Sequence, residues 1–244
     1  MANFIAYLFD SQYAATTIAS ITSAISFVHK LMQVQDPSET FLIKKLLQGC
    51  KKLRTQKDQR LPITSVILNQ IITASDFTIS NKFSAIRFKA MCSLAFHALL
   101  RVGEMTDSPN NLTYNAVQMG TDNLILQFAT YKHSGSTSTH IINSKPGSAS
   151  CPLHLRSQYL RSRGHRQGPL FVTANGDAVQ SRTFSEELRT ALNFIGLPTT
   201  RYTPHSFRIG GTSEMALQGA SELQIKQAGR WASNAHLSYI RLNW

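Results

Sequence analysis

Residues 203–211 read TPHSFRIGG, which places His205 and Arg208 three residues apart near the start of a predicted helix. A proline suits the first turn of a helix, and two residues at this spacing share one helical face. The start of a helix also presents free N–H groups and the positive end of its dipole to an anion. The stretch therefore predicts an anion site, although the His-x-x-Arg pattern alone describes two ordinary surface residues equally well.

Further residues with chemical potential lie on both sides of this stretch. Residues 229–233 read GRWAS and precede a predicted helix that carries Tyr239-Ile240-Arg241. Upstream, Arg101 stands at the end of a long apolar helix, and Glu104 follows three residues later. Lys132 follows a predicted strand and precedes a Gly/Ser loop, which indicates the tip of a hairpin. Each residue also has a purely structural interpretation, so the argument depends on the order of the whole set.

The hydrophobic pattern predicts a mainly α fold with one small antiparallel β-sheet, an α+β class. Apolar residues recur at helical spacing in most of the chain, and the period of a strand is seen over residues 116–119, 124–129 and 140–143. Residues 54–62 carry many charges and few apolar side chains, which predicts a linker. The linker separates a small helical piece, residues 1–58, from a larger domain, residues 63–244.

Composition points to a polyanionic partner. The 244 residues include 25 Lys+Arg against 13 Asp+Glu, a formal net charge of +12. Such an excess favours nucleic acid first and an acidic membrane surface second. No apolar run approaches the roughly 20 residues that span a bilayer, and the N-terminus lacks the basic region of a secretory signal. We therefore expect a protein that is neither membrane-spanning nor secreted.

Acidic residues and possible zinc ligands are too dispersed to predict a metal site. Two-metal nucleases need clustered carboxylates, which the 13 acidic residues do not form at helical or strand spacing. Cys151 and His154 offer two zinc ligands without a matching second pair, whereas structural zinc takes about four. The three cysteines are scattered, as is typical of a reducing compartment. We predict neither a metal nor another cofactor.

The order Arg, hairpin Lys, His-x-x-Arg, His or Trp, and Tyr resembles the tyrosine recombinase or phage integrase family. The GRW and YIR segments around Trp231 and Tyr239 are most similar to the Crypton and DIRS-like recombinases of eukaryotic mobile elements. The resemblance implies a catalytic domain over residues 63–244 and a shortened helical core-binding domain, of the SAM-like type, over residues 1–58. It also implies double-stranded DNA as partner, a homotetramer on DNA, and a nuclear location in a eukaryote, or otherwise the cytoplasm or nucleoid.

The resemblance implies a metal-independent site that cleaves and rejoins DNA through a 3′-phosphotyrosyl link, in DNA integration or transposition. Tyr239 would be the nucleophile, and His205 the base or proton shuttle. Lys132 would be the general acid, with Lys145, His133 and His140 as alternatives. The expected catalytic residues are Arg101, Lys132, His205, Arg208, Trp231 and Tyr239.

Two arginines are expected to bind the phosphate, and two further residues, Glu104 and Trp231, are expected to assist them. Arg101 and Arg208 would donate charge-assisted hydrogen bonds to the non-bridging oxygens. Glu104 would hold the Arg101 guanidinium, and Trp231 would donate its indole N–H to the phosphate. In many relatives the His/Trp residue lies nine positions before the Tyr, which is Arg230 here, so whether Arg230 or Trp231 fills that position stays open.

Basic residues outside the catalytic set are expected to grip DNA phosphates without sequence preference. They are Lys44, Lys45, Lys51, Lys52, Arg156, Arg161, Arg163 and Arg230. A catalytically silent DNA-binding protein derived from a mobile-element recombinase is the alternative function, and a type IB topoisomerase-like enzyme would use the same residues.

Overall fold

The computed structural model describes residues 1–54, 58–128 and 137–242. The chain divides into two compact units, Met1–Asp58 and Gln59–Trp244. The first unit is helical, with α1 (Ala2–Asp10), α2 (Ala15–Leu31) and α3 (Phe41–Leu53). These helices enclose a small apolar core formed by Ile5, Leu8, Ile18, Ile43 and Cys50.

The second unit contains the larger core and the sheet. Its helices are α4 (Ser65–Thr78), α5 (Lys82–His97), α6 (Pro152–Arg163), α7 (Ser181–Phe194), α8 (Pro204–Leu217) and α9 (Glu222–Gly229). The strands β1 (Val117–Met119), β2 (Asn123–Phe128) and β3 (Ser138–Asn143) form an antiparallel sheet in the order β1-β2-β3. The predicted class, mainly α with one small antiparallel sheet, is confirmed.

Helix α5 is the centre of the second unit and packs against α4, α6 and α8. It begins where the Asn81 side chain accepts a hydrogen bond from the Ser84 N–H at 2.9 Å. Nearly all its residues from Ala85 to Phe96 are buried, including Arg87 and Ser93, so this stretch has no broad solvent-facing stripe. The helices that carry the candidate site are therefore held against a rigid central element.

Two expectations about helix ends are wrong, and both concern the candidate site. Helix α5 ends at His97, and Leu99 adopts a left-handed φ of 50°, so Arg101 lies in a loop after the helix. Tyr239 is the last residue of a short 3₁₀ helix, Asn234–Tyr239, and not part of a helix through Arg241. The Tyr239 carbonyl and the Arg241 N–H form hydrogen bonds with the Ser213 side chain on α8, and not with backbone groups of a continuing helix.

None of the helices among the described residues is both long and apolar enough to cross a membrane.

Candidate active site

Helix α8 positions the two central residues of the candidate site. Its first turn is closed by the Thr203 N–H, which donates to the Ser206 hydroxyl at 3.1 Å. His205 and Arg208 lie one turn apart on the same face, with His205 half-buried and Arg208 0% exposed. A Cβ on Gly210 would lie 1.8 Å from the Ile63 carbonyl oxygen, so only glycine lets α8 pack this closely.

Arg208 is held by backbone carbonyls from two distant segments. Its Nη1 donates to the Leu99 carbonyl and its Nη2 to the Gly229 carbonyl. Its guanidinium lies 4.1 Å from the centre of the Trp231 ring and 5.4 Å from that of Tyr239. The Nε of Arg208 has no hydrogen-bond partner among the described residues. Arg208 therefore retains a buried donor in a guanidinium that lies against the Tyr239 ring.

Glu104 joins the two other arginines of the site. Its Oε2 accepts hydrogen bonds from the Arg101 N–H and from Arg230 Nη2, both at 2.7 Å. Its Oε1 accepts a third from Arg101 Nη1 at 3.2 Å. The Arg101 side chain is 44% exposed, whereas Glu104 and Arg230 are buried. The Glu104 carboxylate thus links the partly exposed Arg101 guanidinium to the buried Arg230 guanidinium.

Arg230 occupies an unusual backbone position directly after α9. It caps α9 in the left-handed conformation, with φ 56° and ψ 48°. Its guanidinium lies 4.0 Å from the centre of the Phe128 ring and donates to the Ala98 carbonyl at 3.3 Å. The side chain therefore joins α9 to the sheet and to the loop before Arg101.

The Tyr239 ring packs between two residues of the predicted set. Its centre lies 4.8 Å from that of His205 and 4.9 Å from that of Trp231. The Trp231 indole packs directly against the backbone of Gly229. A Cβ at position 229 would lie 1.7 Å from the indole Cζ3, so this packing requires glycine. Tyr239, His205, Trp231 and Arg208 therefore form one contiguous cluster.

Positive charge dominates this cluster. Burial first, and then the charges of Arg101 and Arg230, lower the pKa of Arg208 to about 9. Three guanidiniums face one carboxylate, that of Glu104, so an anion that enters the cluster relieves their mutual repulsion. Burial and the charge of Arg230 also lower the pKa of His140 to about 4, so this imidazole is neutral at pH 7 and a poor proton donor.

Several predicted site residues lie elsewhere. Lys132 and His133 fall outside the described residues. Lys145 is exposed in the loop after β3, and Arg161 is exposed on α6. In the first unit, the four lysines of the predicted phosphate grip are all exposed on α3: Lys44, Lys45, Lys51 and Lys52.

Three of the expected DNA-binding arginines are buried and do not form the exposed basic face that the prediction assumes. Arg156 donates to the Val117 carbonyl, and Arg163 donates to the Arg166 carbonyl at 2.6 Å and the Pro169 carbonyl at 2.7 Å. Arg230 is buried against Glu104 as described above. In this structure their guanidiniums form hydrogen bonds within the fold and are not exposed on the surface.

Sequence reasoning missed Ser213 and the role of Gly229. Ser213 lies on α8 and bonds to the Tyr239 segment, but a serine within a helix pattern carries no recognisable motif.

Among the described residues there is no group of three or more His, Cys, Asp or Glu side chains that could hold a metal ion.

Comparison with known proteins gives matches in structure and none in sequence families. No protein-family model matches the sequence, and no curated protein matches it. The site-specific recombinase XerH, in a post-cleavage complex with a difH substrate, is 12% identical with a TM-score of 0.60. This match covers 83% of the present chain and 60% of XerH, so the chain spans less than two thirds of that relative.

Two other solved structures match over the whole chain. The Tn1549 transposon integrase, in complex with circular intermediate DNA, is 13% identical with a TM-score of 0.66, and the match covers 80% of its chain. A lambda integrase dimer bound to a core site is 15% identical with a TM-score of 0.64, and the match covers 65% of that chain. The protein therefore has the fold of the tyrosine recombinases.

Proposed function

We propose that this protein is a site-specific DNA recombinase or integrase that cleaves and rejoins DNA through a 3′-phosphotyrosyl intermediate. One observation carries the proposal: the fold gathers residues from positions 101 to 239 into a single cationic cluster around a tyrosine. The matching solved structures are recombinases and integrases bound to DNA, which supports the same function.

The proposed cleavage step needs a nucleophile, a cationic pocket and two proton transfers. The Tyr239 oxygen bonds to phosphorus as the bond from phosphorus to the 5′ oxygen breaks. His205 takes the phenol proton, and Lys132 supplies a proton to the departing 5′ oxygen. Negative charge grows on the non-bridging oxygens, where Arg101 and Arg208 stabilise it without a metal. Religation is the reverse of this step.

Burial of Arg208 adds a requirement to this mechanism. Arg208 is 0% exposed, and the rings of Trp231 and Tyr239 lie over its guanidinium. A shift of one of these rings would open a path for a phosphate to reach it. Because Tyr239 must also move toward the phosphorus, we propose that DNA binding displaces the Tyr239 ring and opens Arg208 in the same step.

The finer assignment rests on the sequence resemblance. We propose an origin in a Crypton or DIRS-like mobile element, a homotetramer on double-stranded DNA, and a nuclear location in a eukaryotic host. The first unit, with its exposed lysines on α3, would act as a core-binding domain. Trp231 takes the His/Trp role in this proposal, because it contacts both Arg208 and Tyr239, whereas Arg230 is buried against Glu104.

A nicked suicide substrate tests the proposal directly. The wild-type protein should trap a covalent protein–DNA adduct that survives denaturation, including in EDTA. Tyr239→Phe should abolish the adduct and leave DNA affinity almost unchanged, since no cation is lost. Tyr202→Phe is the matched control, because it makes the same change at a buried tyrosine outside the cluster. DNA binding without any adduct would instead indicate the catalytically silent alternative.

A 5′-bridging phosphorothioate substrate tests the role of Lys132. Its thiolate leaving group needs no proton, so Lys132→Ala should cut it at nearly the wild-type rate while cutting normal DNA about 10²–10⁴-fold more slowly. Arg101→Ala should stay slow on both substrates. Equal defects of Lys132→Ala on the two substrates would transfer the acid role to another residue, with Lys145 the first to test.

A further inference from the structure

Ser213 connects helix α8 to the segment that carries Tyr239. Its hydroxyl donates to the Tyr239 carbonyl at 3.3 Å and accepts the Arg241 N–H at 2.8 Å. Ser213 is itself buried, and both hydrogen-bonding capacities of its hydroxyl are used on the two sides of Ile240. The contact is tertiary, since it joins residues 26 and 28 positions apart.

The Tyr239 segment has little internal stability. Its 3₁₀ helix, Asn234–Tyr239, has only six residues, and 3₁₀ hydrogen bonds have poorer geometry than those of an α-helix. Leu237 and Ser238 are exposed. At the start of the segment Lys226 bonds to the Asn234 side chain at 2.8 Å, and at its end Ser213 bonds to the backbone. Buried His236 and the packing of the Tyr239 ring against His205 and Trp231 also anchor the segment, and Ser213 adds two hydrogen bonds to its backbone at the Tyr239 end.

Helix α8 makes this connection important for catalysis. The same rigid helix carries His205 and Arg208 toward its start and Ser213 two turns later. Resting on the function proposed above, we propose that Ser213 is a positioning residue that fixes the Tyr239 backbone relative to Arg208. Its hydrogen bonds to this segment go to the backbone and not to the Tyr239 phenol. It sets the place from which the Tyr239 ring swings toward the phosphorus.

Loss of the hydroxyl should be felt in the chemical step. In Ser213→Ala the Tyr239 carbonyl and the Arg241 N–H lose this partner, and the segment can drift from α8. Small misplacement of a reacting group costs up to about 10²-fold in rate. We therefore expect adduct formation to slow roughly 10- to 100-fold in single turnover, with DNA affinity unchanged because no cation is removed.

The experiment compares three serine variants of the full chain on the nicked substrate. Ser93→Ala is the matched control, because Ser93 is equally buried and its hydroxyl makes a tertiary hydrogen bond to the Ser150 carbonyl at 2.6 Å. Ser213→Thr retains a hydroxyl and should restore a rate near wild type. Hydrogen exchange of the Arg241 amide, followed by NMR without DNA, should accelerate in Ser213→Ala and not in Ser93→Ala.

Different results overturn different claims. A Ser213→Ala variant that forms adduct as fast as Ser93→Ala, or that is slow with an unchanged Arg241 exchange rate, overturns the positioning role. A Ser213→Thr variant that is as slow as Ser213→Ala while its Arg241 amide stays protected overturns it too. Absence of adduct from the wild-type protein overturns the proposed recombinase function itself, and the exchange measurement then still decides whether Ser213 holds the segment.

Discussion

Glu104→Gln is expected to destabilise the second unit by loss of a single buried charge. The carboxylate accepts hydrogen bonds from the Arg101 N–H and from Arg230 Nη2, both at 2.7 Å, and from Arg101 Nη1 at 3.2 Å. Glutamine has the same shape but one acceptor oxygen and no charge. Its NH₂ group would face a guanidinium, which also only donates.

The magnitude follows from which partners are buried. Breaking a buried ion pair by removing one partner costs about 3–5 kcal/mol, whereas an exposed pair contributes at most about 1 kcal/mol. Arg230 is buried and Arg101 is 44% exposed, so Arg230 accounts for most of the effect. We expect a loss of about 3 kcal/mol, or about 6–12 °C in Tm at 2–4 °C per kcal/mol for a unit of this size.

Calorimetry in chloride buffer, with and without added phosphate, measures this effect. Without the Glu104 charge, three guanidiniums lack their carboxylate, so phosphate should raise the Tm of Glu104→Gln more than that of wild type. Glu186→Gln is the matched control, because its side chain is 52% exposed and its carboxylate pairs with Arg182 on the surface of α7. The reasoning is refuted if Glu104→Gln has the same Tm as Glu186→Gln, or if phosphate raises the Tm of the wild type and of Glu104→Gln equally.

Three further predictions concern pH, packing and salt. Glu187 pairs with buried Arg87, which lowers its pKa, but burial outweighs this pairing and raises the pKa from 4.5 to about 7. The folded state therefore holds this proton more tightly than the unfolded state, and stability falls as pH rises between these values. Urea unfolding should show that the wild type loses about 2 kcal/mol of stability between pH 5 and pH 7.5, and that Glu187→Gln does not show this loss. Gly229→Ala should displace Trp231, cost about 1–3 kcal/mol and slow adduct formation, whereas Gly49→Ala, with nothing within 4 Å of the new Cβ, should not destabilise. DNA affinity should fall steeply with salt, at about −0.9 in the log–log slope per neutralised phosphate and with roughly five or more such contacts; a flat response would assign the +12 charge to another partner.

Local pattern was sufficient for most of the architecture. Strands predicted at 116–119, 124–129 and 140–143 lie within one or two residues of β1, β2 and β3 where the chain is described, and α8 begins at Pro204 as its sequence indicates. These features depend on the spacing of apolar side chains, on turn residues and on helix caps, all of which are set by residues close in sequence. The candidate site residues were chosen differently, through a resemblance in the order of residue types along the chain, and their catalytic roles stay a prediction.

Burial and tertiary hydrogen bonds were decided only in three dimensions. Arg156 and Arg161 read alike in sequence, yet Arg156 is buried on the Val117 carbonyl, 39 residues away, and Arg161 is exposed. The helix expected to continue through Tyr239 ends because Ser213, on another element, takes the backbone groups that would have extended it. A buried charge or backbone N–H must form a hydrogen bond with whatever group packs against it. In these cases that group belongs to a segment distant in sequence, and the local hydrophobic pattern does not determine where that segment lies.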